Sequence, residues 1–202
     1  MVDLFNEGGP FMWPILGIFV VGLVFVGERL LHLLSTNRWN AGFAKHVADQ
    51  LETAGALEAQ TLCESGKGPV TNLLLTGLDN IDKDVDGIEK SIDSRANVEM
   101  SFLEKNMTWI ALCIATSPML GFLGTVWGMV GAFKEIAAQD NISASIVAVG
   151  ISEALLTTAF GLVVAVILQI LQNTVLYIID NKVVAMQKAI NLLMASIEKF
   201  KK

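Results

Sequence analysis

Residues 142–179 form the longest apolar stretch of the chain, and they carry one acidic side chain, Glu153. No other ionisable group occurs before Tyr177, near the end of the stretch. A run of this length is typical of a helix that crosses a membrane. Because a carboxylate in such a helix is costly, it usually faces a bundle interior or a water-filled path. The fold of the chain must therefore place Glu153 at a site of that kind.

The composition excludes several classes of protein. Apolar residues make up 53% of the chain and charged residues 17%, and the mean hydropathy of +0.56 is too high for an ordinary soluble domain. Basic residues are few and the formal net charge is −6, so nucleic acid is not an expected partner. Cys63 and Cys113 lack disulfide or metal-site spacing. The N-terminus has no basic segment, so we expect the first apolar run to remain in the mature protein.

Two further apolar runs precede this stretch. Residues 11–34 follow the N-terminal residues 1–10, and Arg29 near their end is expected to extend its charge to the membrane surface. Residues 107–133 contain no charged side chain. Together with residues 142–179, these runs predict three transmembrane helices. The expected fold is an all-α integral membrane protein with helical cytoplasmic extensions.

The second run is rich in small residues at four-residue spacing. Such stripes allow membrane helices to approach closely, which predicts that Gly121, Gly124 and Gly128 pack against a neighbouring helix. Pro118 lies in the same run and is expected to kink or loosen the helix. The two stripes are Ser117, Gly121, Thr125 and Gly124, Gly128, Ala132.

The polar segments have helical periodicity. In residues 35–106 apolar side chains recur every three or four positions, which favours amphipathic helices, with a break at 66–69. The acidic group at 79–86 lacks the spacing of a calcium-binding EF-hand, so we interpret it as a solvated helix face. The apolar seam in residues 180–202 permits two arrangements. One is a surface helix lying against the polar region, and the other is self-association around an axis.

Lysine and arginine are distributed unevenly among the segments outside the spans. Residues 1–27 contain none, residues 28–106 contain eight, the connection 134–141 contains one, and the residues after 179 contain five. By the positive-inside rule, the N-terminus and the connection 134–141 lie outside, and the large polar segment and the tail are cytoplasmic. The predicted topology is multi-pass, with the N-terminus out and the C-terminus in.

Depth counting pairs Glu153 with a threonine of the second span. At a rise of about 1.5 Å per residue, Glu153 lies about 16 Å into the third span and Thr125 about 13 Å into the second from the same side. Thr157 lies one turn below Glu153 on the same face, whereas Thr158 is turned about 140° away in an ideal helix. Three roles for Glu153 compete: a buried acid that holds helices together, a pore-lining carboxylate for protons or cations, and a docking group for another subunit.

Two segments resemble the core of the MotA/TolQ/ExbB proton-channel family, closest to its ExbB/TolQ branch. They are PMLGFLGTVWGMVGAF (118–133) and VGISEALLTTAFGL (149–162). GGPFMWPIL (8–16) and GERLLHL (27–33) also resemble that branch, so the resemblance covers all three spans. The family usually has a proline after its third-span glycine-rich stretch. Here the aligned residues are Val166-Ile167-Leu168, which predicts a straighter helix at that point.

The resemblance implies a role for each matching residue. Glu153, Thr125 and Thr158 match residues that line a lumen between subunits in the family, and Pro118 matches a further family position. We include Thr157 among the lumen candidates because it lies beneath Glu153 in an ideal helix. The implied coupling ion is the proton, and neither another cofactor nor a metal is expected.

The resemblance also implies partners and an output. Family members assemble as pentamers around an ExbD/TolR-like single-span partner that carries the protonatable aspartate, in the bacterial inner membrane. The implied function is a stator, or proton-channel, subunit of a motor. The motor would use the proton motive force to energise outer-membrane transport or envelope maintenance, with a TonB/TolA-like protein as a further partner and lipid around it. No substrate bond is made or broken, so enzymatic activity is not expected.

A structural membrane scaffold is the alternative function, in which Glu153 only locks helices together. A stand-alone cation channel is disfavoured because the sequence contains no visible selectivity ring. The import-type and envelope-type outputs both stay open at this point.

Overall fold

The computed structural model of the chain describes residues 5, 7–35, 41–66, 68–138 and 144–201. These ranges contain seven longer α-helices and no β-strand. In chain order they are α1 (Met12–Ser35), α2 (Ala41–Thr53), α3 (Ala56–Glu64), α4 (Pro69–Asp79), α5 (Val85–Leu103), α6 (Met107–Ala138) and α7 (Ala144–Phe200). Three of them, α1, α6 and α7, are long and apolar enough to cross a membrane. The predicted all-α membrane fold is thereby confirmed.

Two helices are longer than the apolar runs that they contain. α6 continues to Ala138, so residues 134–138, expected in a connection, are helical. Lys134 and Glu135 are good helix formers, which allows the helix to continue beyond the apolar run. The rest of that connection, 139–141, lies outside the described residues. α7 is unbroken from Ala144 to Phe200, so the predicted third span and C-terminal helix are one element.

The chain divides into two compact units. The first comprises residues 1–30 and 106–175, and the second comprises residues 31–105 and 176–202. Both α1 and α7 therefore contribute to both units.

The core of the first unit joins α1, α6 and α7. Its buried centre consists of Ile15 from α1, Cys113 from α6, and Val164 and Leu168 from α7. Gly22 on α1 makes room for this cluster, because a Cβ added there would lie 2.8 Å from Leu168 Cδ1. A single large side chain of α7 thus fills the notch left by a glycine of α1.

Backbone-to-backbone contact joins α6 and α7. A Cβ added at Gly121 would lie 2.9 Å from the Thr157 carbonyl oxygen and 3.0 Å from Thr158 Cα. A Cβ added at Gly161 would lie 2.6 Å from the Ser117 carbonyl oxygen. Because real Cβ atoms do not approach backbone so closely, only glycine permits this separation at either position. Pro118, half-buried, lies inside α6 beside this contact.

The same contact fixes the antiparallel register of the two helices. A Cβ at Gly128 would lie 3.3 Å from Ala154 Cβ, and a Cβ at Gly124 would lie 2.6 Å from Thr157 Oγ1. Residue 128 is therefore opposite residue 154, and residue 124 is opposite residue 157. The two helices are therefore antiparallel: residues nearer the C-terminus of α7 lie opposite residues nearer the N-terminus of α6.

An ion pair occupies the end of the α1 segment in the first unit. Arg29 is only 2% exposed, and its Nη2 atom lies 2.6 Å from Glu28 Oε1. Asn106 Nδ2 donates to Glu28 Oε2 at 3.1 Å. Arg29 is thus covered by protein and paired with Glu28, and its expected position near the membrane surface stays a prediction. The guanidinium is buried because a neighbouring carboxylate satisfies two of its donors.

The second unit is a helical cluster around α4. Leu73, Leu74 and Leu78 of α4 are fully buried. The last part of α7 contributes Leu193 and Ile197 to the same core, and Gly77 receives Leu193, whose Cδ2 would lie 2.7 Å from an added Cβ. Part of the apolar seam of residues 180–202 is thus buried within the chain, whereas Phe200 at its end is 47% exposed. This burial agrees with the surface-helix arrangement.

The boundaries of the short helices agree with the sequence pattern. α3 ends at Glu64 and α4 begins at Pro69, on either side of the predicted break. The four aspartates of the acidic group at 79–86 are exposed, as predicted. The predicted helix face is wrong, however, because α4 ends at Asp79 and α5 begins at Val85, so Asp82 and Asp84 lie in the turn between the two helices. Among the described residues, no three His, Cys, Asp or Glu side chains are placed to hold a metal ion.

Buried polar groups in the second unit have partners. Glu99, 6% exposed, accepts from Asn72 Nδ2 at 2.9 Å and pairs with Arg95 Nη2 at 2.6 Å. Lys182 Nζ donates to the Leu33 carbonyl oxygen at 2.6 Å, near the end of α1, and desolvation lowers the pKa of its ammonium group. Burial, with a smaller contribution from Asp79, raises the pKa of the Cys63 thiol to about 12.

Replacement of Leu193 by alanine tests the packing of the second unit. Leu193 is 1% exposed and Leu192, its neighbour, is 37% exposed. We expect Leu193→Ala to lower the free energy of unfolding by about 2–5 kcal/mol, because a buried side chain leaves a cavity. Leu192→Ala, the matched control, should lower the free energy of unfolding much less. Thermal unfolding of the detergent-solubilised protein measures both, and equal losses would contradict this packing.

Replacement of Gly161 by alanine tests the backbone contact between α6 and α7. The added methyl group would press on the Ser117 carbonyl oxygen, so the helices must separate. We expect a loss of about 1–3 kcal/mol, the usual cost of overpacking. The control is Gly17→Ala on α1, where no atom of the part of the chain that the structure describes lies within 4 Å of an added Cβ. The measurement is the melting temperature of each variant in detergent. Equal melting temperatures for Gly161→Ala and Gly17→Ala would refute the contact.

Candidate functional site

Glu153 lies on α7 at the edge of the contact with α6. Its neighbour Ala154 is buried against Gly128, whereas Glu153 itself is half-buried. It lines a pocket of about 320 Å³ between the two helices. The lining residues are Trp127, Gly128, Gly131, Ala132, Glu135, Val149, Gly150 and Glu153. The acid that the sequence singles out thus borders open space as well as packed helix.

The N-terminal turn covers a further side of this carboxylate. Gly9 has a φ of 71°, a conformation that favours glycine. A Cβ added at Gly9 would overlap Glu153 Oε1, so the backbone of the turn lies against the acid. Two ring contacts hold this segment in place: Phe5 with Phe160 at 5.9 Å and Phe11 with Trp127 at 6.0 Å between centroids.

Gly9 is a site residue that sequence reasoning missed. The sequence Gly8-Gly9-Pro10 is a turn signal before the first span, and it points to no partner for the turn. Contact with Glu153 depends on how the turn folds back over α7. A pair of glycines next to a proline is the one signal that indicates a close backbone approach.

Thr157 lies inside the contact between α6 and α7. Its side chain is 1% exposed. The hydroxyl donates to the Ala154 carbonyl oxygen at 2.8 Å and approaches the Gly121 carbonyl oxygen at 3.4 Å. In this chain Thr157 therefore serves helix packing. A place on a lumen would require the two helices to separate, and that role stays a prediction.

Thr158 also contacts α6. Its hydroxyl donates to the Gly121 carbonyl oxygen at 3.1 Å, and the side chain is half-buried. Because a hydroxyl keeps acceptor capacity when it donates, Thr158 retains an oxygen able to accept a bond. The two consecutive threonines thus meet at one carbonyl of α6.

Thr125 lies about one turn away from Glu153. The helix register places it level with Thr157, four residues from Glu153, or about 6 Å along the axis. Its half-buried hydroxyl donates to the Phe122 carbonyl oxygen of its own helix at 2.6 Å. Depth counting had paired Thr125 directly with Glu153. The count was wrong because it measured both helices from the predicted connection, whereas α6 continues beyond Lys134.

The arrangement is suited to proton exchange rather than to bond-making chemistry. It offers one carboxylate, Glu153, beside open space, a second carboxylate, Glu135, at the same pocket, and hydroxyl groups on the packed side. A carboxyl group exchanges a proton with water or with another carboxyl group, and hydroxyls orient such exchanges.

Comparison with known proteins agrees with the resemblance. Residues 65–188 match the MotA/TolQ/ExbB proton channel family. A protein described as a biopolymer transport protein ExbB homolog, from Methanothermobacter thermautotrophicus, is 28% identical over 184 residues, which are 91% of this chain and 65% of that protein.

Two bacterial relatives match over shorter segments. Biopolymer transport protein ExbB of Xanthomonas campestris is 39% identical over 79 residues, which are 39% of this chain and 31% of that protein. Tol-Pal system protein TolQ of Haemophilus influenzae is 34% identical over 82 residues, which are 41% of this chain and 36% of that protein. The matched regions thus span 65% of the Methanothermobacter protein and about a third of the other two.

The family match covers more than half of the chain and includes the whole of α6 and the part of α7 that carries Glu153. The chain therefore belongs to the MotA/TolQ/ExbB proton channel family.

Proposed function

We propose that this chain is a stator subunit of an inner-membrane motor of the ExbB/TolQ type. Membership of the family supports the general statement that the chain is a proton-channel subunit of a membrane motor. The proposal adds that Glu153 takes part in the proton path. It also adds that the motor powers outer-membrane transport or envelope maintenance, the two outputs suggested by the ExbB and TolQ relatives.

The open pocket beside Glu153 carries the proposal. A carboxyl group that only holds helices together is expected to be enclosed by donors and acceptors of the neighbouring helix. Here glycine and alanine form much of the α6 side of the pocket, together with Trp127 and Glu135, and open space lies between the helices. This favours an acid that exchanges protons over the scaffold alternative.

The outer surfaces of the long helices support assembly in a membrane. Large apolar side chains on each are more than half exposed, among them Trp13 on α1, Phe122 on α6 and Leu155 on α7. Surfaces of this kind suit lipid or a second copy of the chain. We propose a homo-oligomer, a pentamer by resemblance, surrounded by lipid.

The partner completes the proton path in this proposal. It is an ExbD/TolR-like single-span protein whose aspartate takes up the proton, and a TonB/TolA-like protein receives the motion. Thr125 and Thr158 offer hydroxyl oxygens, and they would bind the aspartate in one protonation state better than in the other. Each proton transfer then weakens the contact with one subunit and favours the next, which turns the partner within the ring.

Substitution of Glu153 separates the stator from the scaffold. The test is proton flux into liposomes that contain the chain with its co-purified single-span partner. We expect Glu153→Ala and Glu153→Gln each to reduce flux to below about a tenth of wild type, because neither side chain exchanges a proton. Thr125→Ala should reduce it less. Asp86→Asn, an exposed carboxylate outside the spans, is the matched control.

The scaffold alternative predicts a different pattern. Glutamine keeps the hydrogen bonds of the acid, so a scaffold with Glu153→Gln should assemble and function like wild type. Full flux from a normally assembled Glu153→Gln complex would therefore refute the proposed proton role.

A further inference from the structure

The pocket beside Glu153 extends along α6 toward a second acid. Gly128, Gly131 and Glu135 follow one another at spacings of three and four residues, so they share one face of the helix. They line the pocket together with Val149, Gly150 and Glu153. A continuous open strip thus leads from Glu153 to the final turn of α6.

Gly131 sets the width of this strip. Among the described residues, no atom lies within 4 Å of a Cβ added at Gly131. The other two glycines of the pocket, Gly128 and Gly150, differ in this respect. A Cβ added at either of them would lie within 3.3 Å of an atom of the opposite helix. The missing side chain of Gly131 therefore leaves open space in the pocket instead of permitting helix contact.

Glu135 stands at the mouth of the strip. It is exposed, lies beyond Phe133, the last residue of the apolar run, and follows Lys134 on the neighbouring face of α6. Residue 129 of α6 is level with Glu153, so Glu135 lies six residues, or about 9 Å, further along the axis. A carboxylate at a cleft mouth raises the local concentration of cations.

We propose that this pocket is a hydrated access route inside one subunit, along which protons reach Glu153 from the membrane side where α6 ends. Gly131 keeps the route open, and Glu135 is a positioning residue that attracts protons to its mouth. The pocket, with a volume of about 320 Å³, is large enough to hold several water molecules. Two carboxylates supply polar partners for that water. This inference rests on the proposed role of Glu153 as a proton site.

Chemical labelling tests the route without using transport activity. The chain and its co-purified partner in liposomes are treated with a water-soluble carbodiimide and an amine, and mass spectrometry measures the modification of Glu153 and Glu135. We expect modification of both acids in wild type. Gly131→Leu should abolish modification of Glu153 and leave that of exposed Glu135 unchanged, so Glu135 serves as an internal control.

Two further variants keep the test decisive. At Gly17, as at Gly131, no described atom lies within 4 Å of an added Cβ. Gly17→Leu should therefore leave modification of Glu153 at the wild-type level. Gly131→Ala, which adds only a methyl group, should slow it partially. Equal modification of Glu153 in wild type and Gly131→Leu, an equal loss in Gly17→Leu, or an unmodified Glu153 in wild type would each overturn the route.

Proton flux separates this inference from the proposed function. Gly131→Leu should reduce flux as strongly as it reduces labelling, and Glu135→Gln should reduce flux about two- to tenfold by removing the mouth charge. If Glu153→Gln keeps full flux, the proposed function fails, whereas labelling still reports whether water reaches Glu153. If Gly131→Leu or Glu135→Gln keeps full flux while Glu153→Gln loses it, the route fails and the function stands.

Discussion

The close approach of α6 and α7 is the contact on which the rest of the first unit depends. At Gly121 and Gly161 the backbone of one helix lies where a side chain of the other would stand. Inside a membrane, apolar side chains gain little by leaving lipid, so association relies on such packing and on hydrogen bonds between helices. The hydroxyl of Thr158, which donates to the Gly121 carbonyl oxygen, supplies a bond of this kind. Glycine and threonine together thus hold two long helices at a fixed separation and register.

That register determines what Glu153 meets. Because Ala154 is buried against Gly128, the preceding residue lies at the edge of the contact, where the helices leave a pocket. The acid is half-buried and is not enclosed by the bundle. The turn at Gly9 covers a further side. A costly carboxylate therefore has backbone on one side and open space on another, which agrees with the proposed role in proton exchange.

The sequence predicts the helices of this protein better than it predicts their neighbours. Long apolar runs require spanning helices because every backbone polar group must be bonded within the membrane. The seam of residues 180–202 left two arrangements open, and only the fold shows that Leu193 is buried within the chain. Depth counting misplaced Thr125 by about one turn, because a helix need not end where its apolar run ends. Gly9 contacts Glu153, and Gly131 lines the pocket, only because the chain folds residues distant in sequence together. No local sequence pattern predicts either position.

Disulfide formation between α6 and α7 tests the register most directly. In a chain with Cys63 and Cys113 replaced by alanine, the pair Gly128→Cys and Ala154→Cys should form an intrachain disulfide readily. The two Cβ positions lie 3.3 Å apart, close to the usual range of about 3.5–4.5 Å. The pair Thr125→Cys and Glu153→Cys, opposite each other by depth counting but about one turn apart here, should stay reduced. A disulfide in the second pair and none in the first would contradict the helix contact and the position that it gives Glu153.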